Sequence, residues 1–144
     1  MNILLDTNVL SERARPRPDP TLVRWIDDLD EDRAFISVLS LAEIRRGIER
    51  LPVGNRRTYL AAWLDGDLVT RFADRILTVD IPVADAWGVL TAAGDCNGRP
   101  VPIIDGFLAA TATVHGLTLA TRNPRDFARL GIPLINPWNG DATQ

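Results

Sequence analysis

The sequence predicts an α/β fold with a mostly parallel central sheet of four to five strands flanked by helices. Short, largely apolar runs recur at 3–5, 34–36, 76–79, 117–120 and 134–135. Runs of that length suit strands covered on both faces. Stretches with helical spacing separate them, and strand–helix alternation favours parallel pairing. The first run leads straight into Asp6-Thr7-Asn8. It thereby puts a carboxylate at the carboxyl end of a strand, where open α/β sheets carry their working groups. Asp is also a good helix cap, so on local grounds a capping role and a site role for Asp6 both stand.

A chain of 144 residues suggests one domain, assigned to 1–138, with a frayed tail over 139–144. The 46% apolar and 24% charged fractions are ordinary for a globular protein. The single cysteine, Cys96, excludes an internal disulfide and a multi-thiolate metal site, and it suits a reducing compartment. No run is long enough to span a membrane and no signal pattern opens the chain, so the expected location is the cytoplasm. All sixteen basic residues are arginine. Mechanisms that need a lysine, such as P-loop phosphate binding and Schiff-base chemistry, are excluded. The net charge of −3 argues against a general nucleic-acid coat but leaves local basic patches open.

Taken in order, the first strand is followed by about one helical turn from Asn8 to Arg13. Prolines at 16, 18 and 20 then stiffen a basic loop carrying Arg13, Arg15 and Arg17. Asp19 and Pro20 start a helix whose buried stripe is Leu22, Val23, Trp25, Ile26 and Leu29. After the second strand, Ser37 or Ser40 caps a helix to about Leu51, with Leu41, Ile44, Ile48 and Leu51 facing inward. Glu43 lies on the rim of that stripe. A helix from Asn55 runs toward Phe72, with Asp65-Gly66-Asp67 as a possible break or kink. Pro82 opens the next helix, to about Cys96, and a turn at 97–100 follows. The alanine-rich helix that ends at Gly116 carries Asp105 in its positive first turn. The strand at 117–120 delivers Thr121, Arg122 and Asn123, and Asn123 can cap a short helix opened by Pro124.

Four acidic residues thus fall at strand ends or helix starts: Asp6, Glu43, Asp105 and Asp126. A parallel sheet brings at least Asp6, Asp105 and the 121–126 segment to one edge. Clustered carboxylates repel, and a hard divalent cation relieves that repulsion. All-oxygen ligands select Mg²⁺ or Mn²⁺ over zinc. Such an ion activates water and neutralises charge on a phosphodiester.

Five stretches, 4–12, 40–48, 104–112, 119–127 and 135–138, resemble the motifs of PIN-domain proteins in their order and spacing. The resemblance is to the VapC-type ribonuclease toxins of toxin–antitoxin pairs and their FitB-like relatives. It implies a PIN-like fold and a Mg²⁺-dependent endoribonuclease, with Mn²⁺ able to substitute. On it, Asp6, Glu43 and Asp105 map to the metal-holding acids, and a fourth position falls near 123–126. Many PIN domains carry an aspartate directly after Thr-Arg, where this chain has Asn123. Asp126 is therefore either that fourth catalytic acid or a capping-box partner of Asn123. Asn8 and Thr121 would orient the ligands, with Asn123 beside them. The resemblance further implies RNA cut to 5′-phosphate and 3′-hydroxyl ends, a homodimer, and silencing by an antitoxin protein.

Other features read more plainly. His115 suits a helix end, and Trp25, Trp63, Trp87 and Trp138 suit core or dimer packing. Cys96 reads as structural. Arg13, Arg15 and Arg17 are either a solvated loop or contacts to an RNA backbone. A phosphoacceptor domain shares acidic strand ends but normally needs a lysine, and a dinucleotide fold needs a glycine-rich turn in place of Asp-Thr-Asn. A PIN-derived nucleic-acid or partner-binding module without catalysis is the remaining alternative.

Overall fold

The computed structural model describes residues 1–140; the expected frayed tail lies outside the described residues from 141 on. Asn139 instead closes a 3₁₀ turn, Pro137–Asn139, and Gly140 follows it at φ 68°. Five strands, β1 (Ile3–Leu5), β2 (Ala34–Ser37), β3 (Ile76–Leu77), β4 (Thr118–Ala120) and β5 (Leu134–Ile135), form one sheet. All pair in parallel, in the order β3-β2-β1-β4-β5. From β1 the chain builds outward to β3, then crosses back and adds β4 and β5 on the other side. The reversal leaves a crevice at the carboxyl ends of β1 and β4, where α/β sheets bind ligands.

Helices cover both faces, which is why the strands read as continuous apolar runs rather than alternating ones. One face takes α1 (Thr7–Arg13), α2 (Pro20–Asp28), α3 (Val38–Glu49) and the helical region from α4 (Asn55–Ala62) to α5 (Val69–Arg71). Its core includes Ile3, Leu5, Leu22, Ile36, Ile48 and Phe72. The other face takes α7 (Ile103–His115), against which α6 (Ile81–Cys96) packs. There Leu4, Leu108, Ala112, Leu119 and Phe127 meet. Along β1 the side chains alternate, so Ile3 and Leu5 serve the first core and Leu4 the second.

Local chemistry explains the boundaries. Ser37 ends β2 and caps α3, its hydroxyl accepting from the Leu39 N–H at 3.0 Å. Because Ser37 is also the last partner of β3, pairing with Leu77, the strand expected to reach Val79 stops at Leu77. The Asp65-Gly66-Asp67 stretch does not break its helix. The backbone passes through a π-helical segment, Trp63–Leu68, that keeps Leu64 and Leu68 buried. Gly106 lets α7 lie close on α6, since a Cβ there would stand 2.9 Å from Trp87 Nε1. Trp87 is half-buried and stacks on Phe107 with centroids 4.9 Å apart, packing α6 on α7 outside the two cores. Cys96 is exposed at the end of α6, so it does not fill a structural role in the core.

Candidate active site

Asp6 leaves β1 at the crevice and does two things with its carboxylate. Oδ1 accepts from the Thr7 N–H at 2.7 Å, capping α1, and Oδ2 accepts from Thr121 Oγ1 at 2.7 Å. The capping role and the site role are therefore both filled by one side chain. Asp6 is only 8% exposed and Thr121 is fully buried. Their pairing across 115 residues follows from the adjacency of β1 and β4, whose ends are also joined by the Asp6 N–H donating to the Ala120 carbonyl at 2.9 Å.

Glu43 arrives from α3, which β2 feeds. Thr7 Oγ1 donates to Glu43 Oε1 at 2.6 Å, and Ser40 Oγ stands 3.0 Å from the same hydroxyl. A hydroxyl has one proton, so with Thr7 donating to Glu43 the Ser40 hydroxyl is left to donate to Thr7. Asp105 arrives from the first turn of α7. That helix runs back antiparallel to β4, so its N-terminus lies at the carboxyl edge of the sheet. Asp126 ends a single 3₁₀ turn, Pro124–Asp126, and buried Phe127 anchors it in the second core.

Asp6 and Asp105 feel the acids around them. Burial raises the Asp6 carboxyl above its ordinary pKa, against the hydrogen bonds from Thr121 and Thr7, and Glu43 and Asp126 push it further up. Burial and the charges of Asp6, Asp126 and Glu43 raise Asp105 from 3.8 to about 6. The fold thus holds buried Asp6 and half-buried Asp105 near the exposed carboxylates of Glu43 and Asp126.

The remaining expected positions are placed as follows. Asn8 holds the exit of β4, its Oδ1 accepting from the Arg122 N–H at 3.3 Å, so it touches none of the four acids by that bond. The Asn123 side chain makes no cap bond, because the segment is one 3₁₀ turn rather than an α-helix; its N–H donates to Thr121 Oγ1 at 3.2 Å. The capping-box reading of Asp126 loses its partner accordingly. Arg13 ends α1 and pairs with Asp27 at 3.3 Å, Arg15 pairs with Glu12 at 3.4 Å, and Arg17 is exposed. Thr7 and Ser40 escaped the sequence reading. The signal for Ser40 was its place one helical turn before Glu43.

Among the described residues, no three acidic, histidine or cysteine side chains stand close enough to hold one ion between them. The donor set still suits a hard divalent cation. Mg²⁺ commonly takes one or two carboxylates and keeps several waters, and its charge would offset the burial and the neighbouring charges that raise Asp6 and Asp105.

A family model described as the PIN domain matches residues 3–133. The chain belongs to the PIN-domain family. This PIN domain is 36% identical over 136 residues to a Sinorhizobium fredii protein named VapC ribonuclease Y4jK, covering 94% of this chain and 97% of that one. It is 37% identical over 137 residues to Toxin FitB of Neisseria gonorrhoeae, covering 95% and 99%. It matches the crystal structure of FitAcB from Neisseria gonorrhoeae with a TM-score of 0.88 at 38% identity, over 94% of this chain and 98% of that chain. The relatives of this PIN domain are thus named as a ribonuclease and as a toxin, and the α/β architecture is theirs.

Proposed function

We propose that this PIN domain is a Mg²⁺-dependent endoribonuclease and the toxin of a toxin–antitoxin pair. The observation that carries the reading is that Asp105 feels the charges of Asp6, Asp126 and Glu43 across the crevice, with burial and those charges holding Asp6 and Asp105 above their ordinary pKa. Relatives named ribonuclease and toxin supply the reaction class. Asp6, Glu43 and Asp105 would hold Mg²⁺ or Mn²⁺, directly or through water. When bound, the ion supplies an activated water and neutralises charge on the phosphodiester.

The chain's own residues prepare that site. Thr121 fixes Asp6 through a buried hydrogen bond, so its free lone pairs face the crevice in one orientation. Thr7 does the same for Glu43 from the start of α1, and Ser40 on α3 holds the Thr7 hydroxyl in place. The carboxylates orient the attacking water for in-line displacement, which leaves 5′-phosphate and 3′-hydroxyl ends. Asp126 adds charge at the border. Arg13, Arg15 and Arg17 stand as candidate contacts to the RNA backbone.

An antitoxin protein is the proposed partner, since a solved relative from Mycobacterium tuberculosis, 28% identical, is named as a member of the VapBC family of toxin–antitoxin systems. We also place the protein in the cytoplasm as a homodimer, with Ile81 and Ile103 as exposed apolar positions available for pairing; among the described residues no helix is long and apolar enough to cross a membrane.

Purified protein incubated with total cellular RNA tests the reading. Cleavage in Mg²⁺ or Mn²⁺ that stops with chelator, leaving 5′-phosphate ends, is expected. RNA intact at every metal concentration would leave a PIN-derived binding module.

A further inference from the structure

We propose that the groove between α6, the 97–102 loop and the 124–130 segment carries the RNA strand beside the cleaved phosphodiester, with Arg99, Arg125 and Arg129 gripping its phosphates. This rests on the ribonuclease reading above. The groove has a volume of about 950 Å³, and its lining includes Asp105 and Asp126 together with all three arginines. It is thus continuous with the acidic site and reverses its sign of charge within one concavity. A single strand bound there would place a phosphodiester by the carboxylates and its flanking phosphates by the guanidinium groups.

The state of the arginines favours this path. Arg99, Arg125 and Arg129 are exposed, and among the described residues none of them makes an ion pair. Elsewhere the arginines are largely spoken for. Arg13, Arg15, Arg33, Arg45, Arg57 and Arg71 pair with carboxylates. Arg75 donates to backbone carbonyls, and Arg122 lies 5.2 Å from the Trp138 ring centroid. A phosphate at Arg13 or Arg15 must displace an existing partner, whereas one at the groove meets uncommitted cations. In a chain of net charge −3, three such cations around one groove form a local patch that an average conceals.

The loop that presents Arg99 is built rather than loose. Gly98 turns it at φ 68°, and the Arg99 N–H donates to the Gly94 carbonyl at 2.9 Å. A Cβ at Gly94 would stand 2.8 Å from the Arg99 carbonyl oxygen, so only glycine lets the loop lie on α6. Gly94 is a positioning residue for this contact.

The test is the salt dependence of affinity for a short fluorescein-labelled single-stranded RNA, read by anisotropy in chelator so that nothing is cut. Each single-strand phosphate contact contributes about 0.7 to the slope of log affinity against log salt, so Arg99→Gln, Arg125→Gln and Arg129→Gln together should lower it by about 2. Each single variant should lower it by about 0.7, which keeps the test sound if the triple variant folds poorly. Arg33→Gln and Arg71→Gln together, which remove ion-paired arginines outside the groove, should leave the slope nearly unchanged. In cleavage assays the groove variants should raise KM more than they lower kcat. An unchanged slope in the groove variants of a protein that cuts RNA overturns this inference alone. So do groove variants that bind RNA normally but fail to bind a purified antitoxin, which would make the groove a protein-binding surface. If the parent neither binds nor cuts RNA, the ribonuclease reading falls with it.

Discussion

Replacing Asp105 with Asn removes a carboxylate that the fold holds above its ordinary pKa, and it should stabilise the metal-free protein at alkaline pH. Burial and the charges of Asp6, Asp126 and Glu43 raise this group from 3.8 to about 6. The folded protein therefore binds the Asp105 proton more tightly than the unfolded chain does. The associated stability is complete below pH 3.8 and is lost as the pH rises through about 6. A shift of this size is worth at most about 3 kcal/mol. Solvent around the half-buried group screens it to roughly 1 kcal/mol. At this chain length 1 kcal/mol moves a melting temperature by about 2–4 °C. The Asn variant has no such charge to carry. Its melting temperature minus the parent's should therefore increase by about 3 °C from acid to mildly alkaline pH, measured in chelator. Adding Mg²⁺ should stabilise the parent and stabilise the variant less, because an ion that binds only the folded state stabilises it more the more tightly it binds. A difference that is flat with pH, or that favours the parent at alkaline pH, would refute the electrostatic account of Asp105.

Thr121→Val keeps the shape of the side chain but strips Asp6 of its buried donor, and thermal melts should show a loss of about 1–3 kcal/mol alongside weaker cleavage. Gly106→Ala should cost about 1–3 kcal/mol by denaturant titration, since its Cβ meets Trp87 and Thr91 across the α6–α7 contact. Asp126→Asn should raise the Mg²⁺ concentration for half-maximal cleavage without lowering the apo melting temperature. A lowered melting temperature with an unshifted metal titration would make Asp126 structural.

Much of the fold was legible because it rests on local patterns. All five strands announce themselves as apolar runs, and Asp19, Pro20 and Gly116 mark helix ends through their own cap chemistry. Strand order was not legible, because a run such as Leu117–Ala120 does not encode which neighbour it pairs with. The bond from Thr121 to Asp6 depends on that order and could be read only as a common edge. Thr7 and Ser40 were hidden for a different reason: both are residue types that ordinarily cap or tolerate a helix, and their tie to Glu43 appears only when α1 and α3 pack. At Asp65-Gly66-Asp67 the local signal for a break was outweighed by burial of Leu64 and Leu68, each 4% exposed. At Asn123 the cap signal was present, but Pro124–Asp126 is too short to form the α-helical turn it would serve.

On the proposed function, the crevice carboxylates form a metal centre that cuts RNA. Its most direct test is to titrate Mn²⁺ into the parent and into Asp6→Asn, follow free Mn²⁺ by electron paramagnetic resonance, and assay RNA cleavage in the same samples. The parent should remove Mn²⁺ from solution as cleavage rises, while Asp6→Asn should stay folded, leave the ion free and fail to cut. An Asp6→Asn protein that binds Mn²⁺ and cleaves RNA like the parent would contradict the proposed function.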